Sequence, residues 1–568
     1  MPRPSLGTVL LLPLIVIGSA FVAPVAFAVK NPHGVQLLPI RSATRKLPEA
    51  PATIPVVAPP GSAIHQVRRG DSLPSVARQY LVKTRYLTST ELAEAIRQAN
   101  GGRQGNLLKP GENLIIPGIL ESPIVEKNVP IAKDFEVRAI YLTGVMAGSD
   151  HGLGIIRHWR DVGGNAVVFD VKDSDGIVNI VFDHPLAAGQ KHYIHDLPKF
   201  VRFLHSQNMH AIARIAIFRD EHLVTTHPEL AVKSRSTGQP WRENGKLVWT
   251  DPSNPKVQDY NIALAKFVAQ SGVDEVQFDY VRFPAEGDQK DAGFAFQTEH
   301  PKWQRTDVIA DFLKRTYAEI HPTGALFSLD VFGVMAWQRH IDLSHTGQDI
   351  VAMAKHCDVL SPMIYPSHFF GMDGIARPGD APEHFIGESM DRFMLITRGR
   401  SSIGEKADAN GKGGSETKAK PAASLKEAKL NTADVEKNSA EMAGPEKVNN
   451  TANQANYVVI RPWLQAFAWR TKTYSPKYIE VQVDVAKQRG GIGFLFWNAN
   501  NDYSKPFIAM PEMRLAKGKF FRGDELPAAG KSEPVAVAAP VASAAAPEAH
   551  AESGAVDTSY HVPKIWRH

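Results

Sequence analysis

Short apolar runs separated by amphipathic stretches recur along the chain from residue 137 and predict alternating strands and helices. Apolar runs of about four to eight residues bounded by turn residues are typical of buried strands, and apolar positions every three or four residues indicate helices. The predicted strands are 137–144, 166–173, 211–219, 273–283, 325–332, 358–365, 464–469 and 493–498, and the helices include 197–207, 256–270, 306–320 and 477–488. Eight strands alternating with helices favour an α/β fold, a (β/α)8 TIM barrel; an open doubly wound sheet is the alternative.

Alternation within each predicted strand separates lumen-facing from helix-facing side chains. In the fourth strand Glu275, Gln277 and Asp279 share the inward face, and in the fifth Ser328 and Asp330 share it. A purely structural barrel would carry branched aliphatic residues at these positions and at the strand ends, where TIM barrels have their active sites. Asp170, Lys172 and Arg214 are also predicted to point inward. The full set of residues predicted to bind substrate is Asp170, Lys172, Asp173, Arg214, Arg219, Arg282, Tyr365, His368, Gln465, Trp497 and Asn498.

Asp279 and Asp330 are predicted at matching depths on neighbouring strands, which lie about 4.8 Å apart in a sheet. Their carboxyl groups can therefore approach to about 5 Å, the separation in retaining glycosidases, whereas inverting enzymes need about 6.5–9.5 Å. Two carboxyl groups this close raise the pKa of one of them, which suits a general acid. We expect Asp279 to be a nucleophile that Arg214 and Arg282 keep ionised, and Asp330 to be the acid/base. The alternative is a structural network of these four residues.

Residues 65–117 form a smaller α+β unit in the order strand, helix, helix, strand. Its opening at 67–73 is Val-Arg-Arg-Gly-Asp-Ser-Leu, and its close at 108–117 is Leu-Lys-Pro-Gly-Glu-Asn-Leu-Ile-Ile-Pro. This unit resembles the LysM module, with its V-x-x-G-D-S-L opening, I-x-x-x-N middle and L-x-P-G-x-x-L-x-I-P close. LysM modules bind glycans that contain N-acetylglucosamine, such as peptidoglycan and chitin, so the resemblance implies a polysaccharide partner. A spacer domain without a ligand is the alternative.

The barrel region carries further motifs, among them Phe-Asp-Val-Lys-Asp-Ser-Asp-Gly at 169–176 and Val-Gln-Phe-Asp-Tyr-Val-Arg-Phe-Pro at 276–284. With them, residues 135–523 resemble the bacterial glycosyl-hydrolase domain of the TIM-barrel superfamily, a family described chiefly by sequence. The strand-4 motif is also similar to that of α-amylase-like hydrolases, whose nucleophile occupies the place of Asp279. Those enzymes carry a glutamate acid/base on strand 5, where this chain has Asp330. The resemblance implies hydrolysis of glycosidic bonds.

Composition narrows the class of protein further. With 43% hydrophobic and 22% charged residues, the chain is neither wholly disordered nor collagen-like. A formal charge of +5 over 568 residues gives no indication of a nucleic-acid partner. Cys357 is the only cysteine, which excludes an intramolecular disulfide and metal sites built on thiolate pairs.

The ends and one internal stretch have compositions that predict export and disorder. Residues 1–28 have a charged start, an apolar core and an Ala-Phe-Ala end, typical of a cleavable signal peptide; a retained anchor is the alternative. Residues 29–64 are a proline-rich linker, 401–456 a disordered insertion within the barrel domain 135–523, and 524–568 an Ala/Pro-rich disordered tail. We expect a protein that is exported to the periplasm, cell wall or exterior, with no membrane span after cleavage.

These observations together predict an exported glycoside hydrolase, without a cofactor or metal, that acts on peptidoglycan or another amino-sugar glycan. Two alternatives stay open. A glycan-binding scaffold with an inactive barrel would still bind sugar after loss of Asp279. A metal-dependent hydrolase or deacetylase would use the Asp and His residues between 170 and 195, although no H-x-H or H-E-x-x-H spacing occurs there.

Overall fold

Eight parallel strands close into a barrel in the described part of the chain, which is residues 57–102, 105–120, 131–398, 458–516 and 518–521 of a computed structural model. Each strand pairs with the next one along the chain, and the last pairs with the first. This closure confirms the predicted TIM barrel. The predicted signal peptide, residues 29–56 of the linker, the 401–456 insertion and the 524–568 tail lie outside the described residues.

The barrel strands begin close to their predicted positions, and several end earlier. They are β1 Val137–Leu142, β2 Ala166–Lys172, β3 His210–Ala216, β4 Glu275–Asp279, β5 Leu326–Phe332, β6 Val359–Met363, β7 in two segments Val459–Ile460 and Trp463–Gln465, and β8 Gly493–Trp497. Two short antiparallel pairs lie outside the barrel: Lys233–Ser234 with Ala292–Gly293, and Arg242–Glu243 with Leu247–Val248.

A helix follows each strand and packs on the outside of the barrel. These are α1 Asp150–Asp161, α2 Leu197–Ser206, α3 Pro255–Gln270, α4 Arg305–Ile320, α5 Ile350–Met353, α6 Pro382–Arg398, α7 Pro476–Gln488 and α8 Ser504–Leu515. Further short helices are Gly144–Ala147, Glu221–Thr226, Phe296–Glu299 and His340–Thr346. Among the helices that the structure describes, none has both the length and the apolar character to cross a membrane.

Helix α3 shows how local sequence sets an element boundary. The Asn254 side chain accepts a hydrogen bond from the Lys256 amide, and Pro255 occupies the first helical position. Proline is favoured there because its missing N–H would have no partner within the helix anyway.

Two apolar layers follow from strand alternation. Ile140 and Leu142 of β1 pack against the helices, whereas Ala139 and Tyr141 belong to a separate cluster in the lumen. On β4, Phe278 faces the helix layer, where its ring lies 4.8 Å from that of Phe327 on β5. Alternate residues of β4 and β5 therefore point into the lumen, as the sequence predicts.

The N-terminal module pairs the strands Ser62–Gln66 and Asn113–Pro117 antiparallel and packs the helices Leu73–Tyr80 and Ser89–Ala99 against them. Asn100 ties the second helix to the second strand, because its side chain both donates to the carbonyl of Ile115 and accepts from its amide. The motif asparagine thus has a structural role.

Candidate active site

One arginine and three aspartates meet in the lumen near the carboxyl ends of β2 to β5. The Arg214 guanidinium donates to Asp170 at 2.5 Å and to Asp279 at 2.6 Å, and its Nε lies 3.9 Å from Asp330. All four side chains are buried, with residue exposures of 2% or less. Three carboxyl groups around one cation give the cluster an excess of negative charge, which favours retention of a proton.

Strand register brings the two predicted catalytic aspartates together. Leu329 on β5 pairs with Phe278 on β4, so that Asp330 and Asp279, the next residue on each strand, lie at the same level. On the other side of β4, Ala216 of β3 pairs with Asp279. The matching depth that the sequence predicts is therefore present in the barrel.

Asp279 accepts hydrogen bonds from two directions. One comes from Arg214, and the other from the backbone amide of Tyr280 at 2.6 Å. Tyr280 has a φ of +52°, in the left-handed region that costs a bulky residue free energy. This conformation ends β4 at Asp279 and turns the following amide back onto the carboxylate.

Asp330 has a different environment from Asp279. Its Oδ1 accepts a hydrogen bond from the Trp463 indole at 2.7 Å, across the lumen from β7. Burial, together with the negative charge of Asp279, holds the pKa of Asp330 well above its usual range. The two aspartates are therefore chemically distinct: one carries two donors, including a cation, and the other favours its protonated form.

Asp170 completes the cluster on β2. It receives hydrogen bonds from Arg214 and from the Tyr141 hydroxyl at 2.5 Å. Burial nevertheless raises the pKa of Asp170, against the opposing charge of Arg214.

Aromatic rings form the wall of the lumen on the β1, β7 and β8 side. Tyr141 and Trp497 stack with centroids 4.1 Å apart, and Trp463 meets Trp497 edge to face at 5.7 Å. The Arg214 guanidinium carbon lies 5.6 Å from the Tyr141 centroid and 5.3 Å from that of Trp497. Trp497 is partly exposed, so its ring is accessible from the mouth.

A second ion pair lies at the level of Glu275, the first residue of β4. Its Oε2 is 2.6 Å from Arg461 and 3.2 Å from His210, and all three residues are fully buried. Burial alone would raise the pKa of Glu275, but Arg461 and His210 lower it to about 2. The ion pair therefore places buried charges at the end of the lumen opposite the mouth.

Lys172 does not face the lumen, and the prediction that it does is wrong. Its ammonium group pairs with Asp220 at 2.7 Å and donates to Asn261 of α3, which lies outside the barrel. The pairing of β2 with β3 shifts between Asp170 and Lys172, and this irregularity reverses the side-chain alternation there. Lys172 therefore joins the strand layer to the helix layer.

Asp173 lies just beyond the end of β2. Its Oδ1 accepts from the amides of Asp175 and Ile177, each at 3.0 Å, so it organises the turn that follows the strand. Burial, followed by the charge of Asp170, raises the pKa of Asp173 to about 7.

The two other predicted arginines lie at the mouth, on the β3 and β4 loops. Arg219 donates to the Tyr280 hydroxyl at 3.1 Å. The guanidinium carbon of Arg282 lies 4.5 Å from the Trp249 centroid and 4.4 Å from that of Phe332. Arg214 therefore contacts the aspartates directly, whereas Arg282 is held between aromatic rings.

Tyr365 and His368 follow β6. Burial, and then the charge of Asp330, raise the pKa of Tyr365 well above its usual range. The Tyr365 ring lies 5.4 Å from His368 and 5.6 Å from Phe467. Burial and the charge of Arg470 lower the pKa of His368 to about 3, so the imidazole is neutral.

The amides of Gln465 and Asn498 hold backbone segments together. Gln465 accepts from the Ser367 amide at 3.1 Å and donates to the Phe467 carbonyl at 2.9 Å. Asn498 donates to the Ala466 carbonyl at 2.6 Å. Both side chains therefore fix the loops that carry the neighbouring aromatic rings.

Tyr141 and Trp463 belong to the site but are not among the residues that the sequence predicts for it. Alternation along β1 indicates an inward position for Tyr141, because Val137 and Ala139 share its face. No sequence signal indicates the bond from Trp463 to Asp330, since the two residues are 133 positions apart. Within the described ranges, no group of three or more His, Cys, Asp or Glu side chains is arranged to hold a metal ion.

Known protein families match both the barrel and the N-terminal module of the chain. A family described as "Putative glycosyl hydrolase domain" matches residues 139–403 and 424–503, more than half of the chain. The LysM domain family matches residues 65–117. A search of the curated proteins found no match.

Several solved structures are similar to parts of the chain. A hypothetical protein from Ruminiclostridium thermocellum is 34% identical, with 34% of this chain and 97% of that chain covered and a TM-score of 0.30. The glycoside hydrolase domain of PgaB (BpsB) from Bordetella bronchiseptica is 12% identical over 68% of this chain and 99% of its own, with a TM-score of 0.40. The spore cortex-lytic enzyme SleL of Bacillus megaterium is 12% identical over 81% and 86%, with a TM-score of 0.33.

Proposed function

The chain belongs to the glycosyl hydrolase domain family that matches residues 139–403 and 424–503, and we propose that it hydrolyses glycosidic bonds through Asp279 and Asp330. The observation that supports this assignment is the contact of both aspartates with one guanidinium, that of Arg214, in unlike surroundings. The LysM module at 65–117 supports a glycan substrate, such as peptidoglycan or another amino-sugar polysaccharide. Such substrates lie outside the cytoplasm, which fits the export that the N-terminal sequence predicts.

In the proposed mechanism Asp279 is the nucleophile. Its hydrogen bonds from Arg214 and from the Tyr280 amide stabilise the carboxylate and fix its orientation. Asp330 donates its proton to the leaving oxygen, since burial and the negative charge of Asp279 raise its pKa and so favour the protonated form. After the glycosyl-enzyme forms on Asp279, Asp330 accepts a proton from the attacking water and so regenerates both groups.

The strand spacing supports a retaining outcome. Asp279 and Asp330 occupy the same level on adjacent strands, and such strands lie about 4.8 Å apart. Retaining enzymes separate their carboxyl groups by about 5 Å. The anomeric configuration of the first released sugar, followed by proton NMR, tests this part: an inverted product would contradict a nucleophilic Asp279.

The direct test measures new reducing ends after incubation of the full chain with peptidoglycan and with amino-sugar exopolysaccharides. We expect Asp279→Asn to lower the rate by more than about 10²-fold, because the amide is no nucleophile. Asp175→Asn is the matched control, since Asp175 is an exposed aspartate at the same mouth. Undiminished release by Asp279→Asn would contradict the mechanism, and saturable binding without release would favour the scaffold alternative. Loss of activity with a chelator would favour metal catalysis.

A further inference from the structure

An exposed aromatic platform lies on the loops that follow β6 and β7, and we define it by Phe370, Trp469 and Arg470. The rings of Phe370 and Trp469 meet edge to face with centroids 5.9 Å apart. The Arg470 guanidinium carbon lies 3.9 Å from the Phe370 centroid and 4.5 Å from that of Trp469. Both loops start at carboxyl ends of barrel strands, so the platform belongs to the rim of the mouth.

Trp469 differs from the tryptophans that the core uses. It is 38% exposed, whereas Trp159, Trp249 and Trp463 are fully buried. Indole rings carry a large apolar face, and leaving one in water forfeits the free energy that its burial would contribute. A ring held on the rim of a sugar-hydrolysing barrel is suited to stack against the apolar face of a pyranose.

Arg470 carries the positive charge of the platform. No carboxylate lies within 4.0 Å of the Arg470 guanidinium among the residues that the structure describes. Asp380, whose carboxylate accepts a hydrogen bond from the Lys472 amide on the same loop, pairs with Arg377. His368, which faces Trp469 at 5.0 Å, is neutral and adds no charge of its own. The platform therefore presents a single cation beside an aromatic face.

The loop that carries the platform is held in place. Asp380 accepts hydrogen bonds from the amides of Lys472 at 2.7 Å and Thr473 at 3.1 Å. Arg470 itself has a φ of +51°, a left-handed conformation that surrounding contacts must enforce in a residue with a long side chain. Such preorganisation lowers the entropic cost of binding a ligand.

A continuous series of rings joins the platform to the lumen. Tyr365, whose pKa responds to Asp330, contacts His368 at 5.4 Å, and His368 contacts Trp469 at 5.0 Å. The platform is therefore connected to the residues of the lumen through two ring contacts.

We propose that Phe370, Trp469 and Arg470 form a rim subsite that binds a carboxylate-bearing sugar of the glycan, with the pyranose on Trp469 and the carboxylate on Arg470. This assignment rests on the proposed function for the identity of the ligand as a glycan. The subsite gives the protein a preference for acidic over neutral glycan chains. It lies away from the bond that is cleaved. Guanidinium groups suit this role because they bind carboxylates through paired hydrogen bonds.

The test measures equilibrium binding by calorimetry with the full chain carrying Asp279→Asn, so that no glycan is consumed. One probe is a hexasaccharide of alternating N-acetylglucosamine and N-acetylmuramic acid with free carboxylates, and the other is the same hexasaccharide after reduction of its carboxyl groups. We expect about tenfold tighter binding of the acidic probe, lost in Arg470→Gln. Trp469→Ala is expected to weaken the binding of both probes.

Arg392→Gln is the matched control, because Arg392 also lies over a tryptophan ring, Trp337 at 4.8 Å, but on α6 with Glu388 as its partner. We expect it to keep the preference. Equal affinity of the starting protein for both probes, or a preference that survives Arg470→Gln, would overturn the proposal. Binding needs no turnover, so the two proposals can fail separately. If the preference for the acidic probe is absent while reducing ends are still released, only the subsite is contradicted. If the preference is present and no reducing ends are released, only the hydrolase function is contradicted.

Discussion

Arg214 is the cation that the buried carboxylates share, and its replacement by methionine is the most informative perturbation of the site. Methionine keeps much of the length and apolar volume of the side chain but removes the charge and every donor. The change leaves Asp170 and Asp279 without their ion pairs at 2.5 and 2.6 Å, and Asp330 without a cation 3.9 Å away.

The structure sets the size of the effect. Breaking a buried ion pair by removing one partner costs about 3–5 kcal/mol, because the remaining charge stays buried. The carboxyl groups can avoid this cost by taking up protons, and burial already raises the pKa of Asp170 and of Asp330 while Arg214 opposes the rise. Without Arg214 both values rise further.

The sign of the pH dependence follows from proton linkage. Groups whose pKa is higher in the folded protein bind more protons when folded, so that stability falls as pH rises toward the folded value. We therefore expect Arg214→Met to lower the free energy of unfolding by about 3–5 kcal/mol at pH 8 and by clearly less at pH 5.

Urea denaturation at the two pH values, followed by tryptophan fluorescence, measures this difference. Arg219→Met is the control, because Arg219 lies at the mouth, its contact with Asp175 is long, at 3.5 Å, and it donates at 3.1 Å to a neutral group, the Tyr280 hydroxyl. Its loss should cost less than about 1 kcal/mol at either pH. A loss for Arg214→Met that is equal at pH 5 and pH 8, or below that of the control, would refute the account of a shared cation.

Three further predictions concern the lumen and its mouth. Trp463→Phe removes the donor that lowers the pKa of Asp330 and should move the alkaline limb of the pH profile of kcat/KM upward. An unmoved limb would contradict an acid role for Asp330. Arg461→Met leaves buried Glu275 without its guanidinium partner, with His210 still 3.2 Å away, and should lower the urea unfolding free energy by about 3 kcal/mol at pH 7; an unchanged free energy would contradict a stabilising role for this ion pair. Burial raises the pKa of Asp173 to about 7, so its ionisation costs stability as pH rises from 4 to 7. Asp173→Asn should therefore flatten the decline in stability over that range, and an unchanged slope would rule out this titration.

Strand alternation explains which lumen-facing side chains can be predicted from the sequence. Asp279 and Asp330 are separated by 51 positions, yet period-two alternation on two adjacent strands was enough to expect them at one level, and the register confirms it. Their catalytic roles stay predictions. The same rule failed at Lys172, since an irregular pairing of β2 with β3 reversed the side-chain direction, and no residue type nearby indicates that irregularity.

By itself the sequence determined the barrel, the LysM module and the strands that carry the acidic residues. These follow from local patterns of apolar and polar positions, whose period is fixed by backbone geometry. The tertiary structure alone decided which partners those residues acquire: the indole of Trp463 on Asp330, the hydroxyl of Tyr141 on Asp170 and the guanidinium of Arg470 over two rings. Such contacts depend on side-chain directions across the closed barrel and on loop conformation, and both arise only when distant segments pack together.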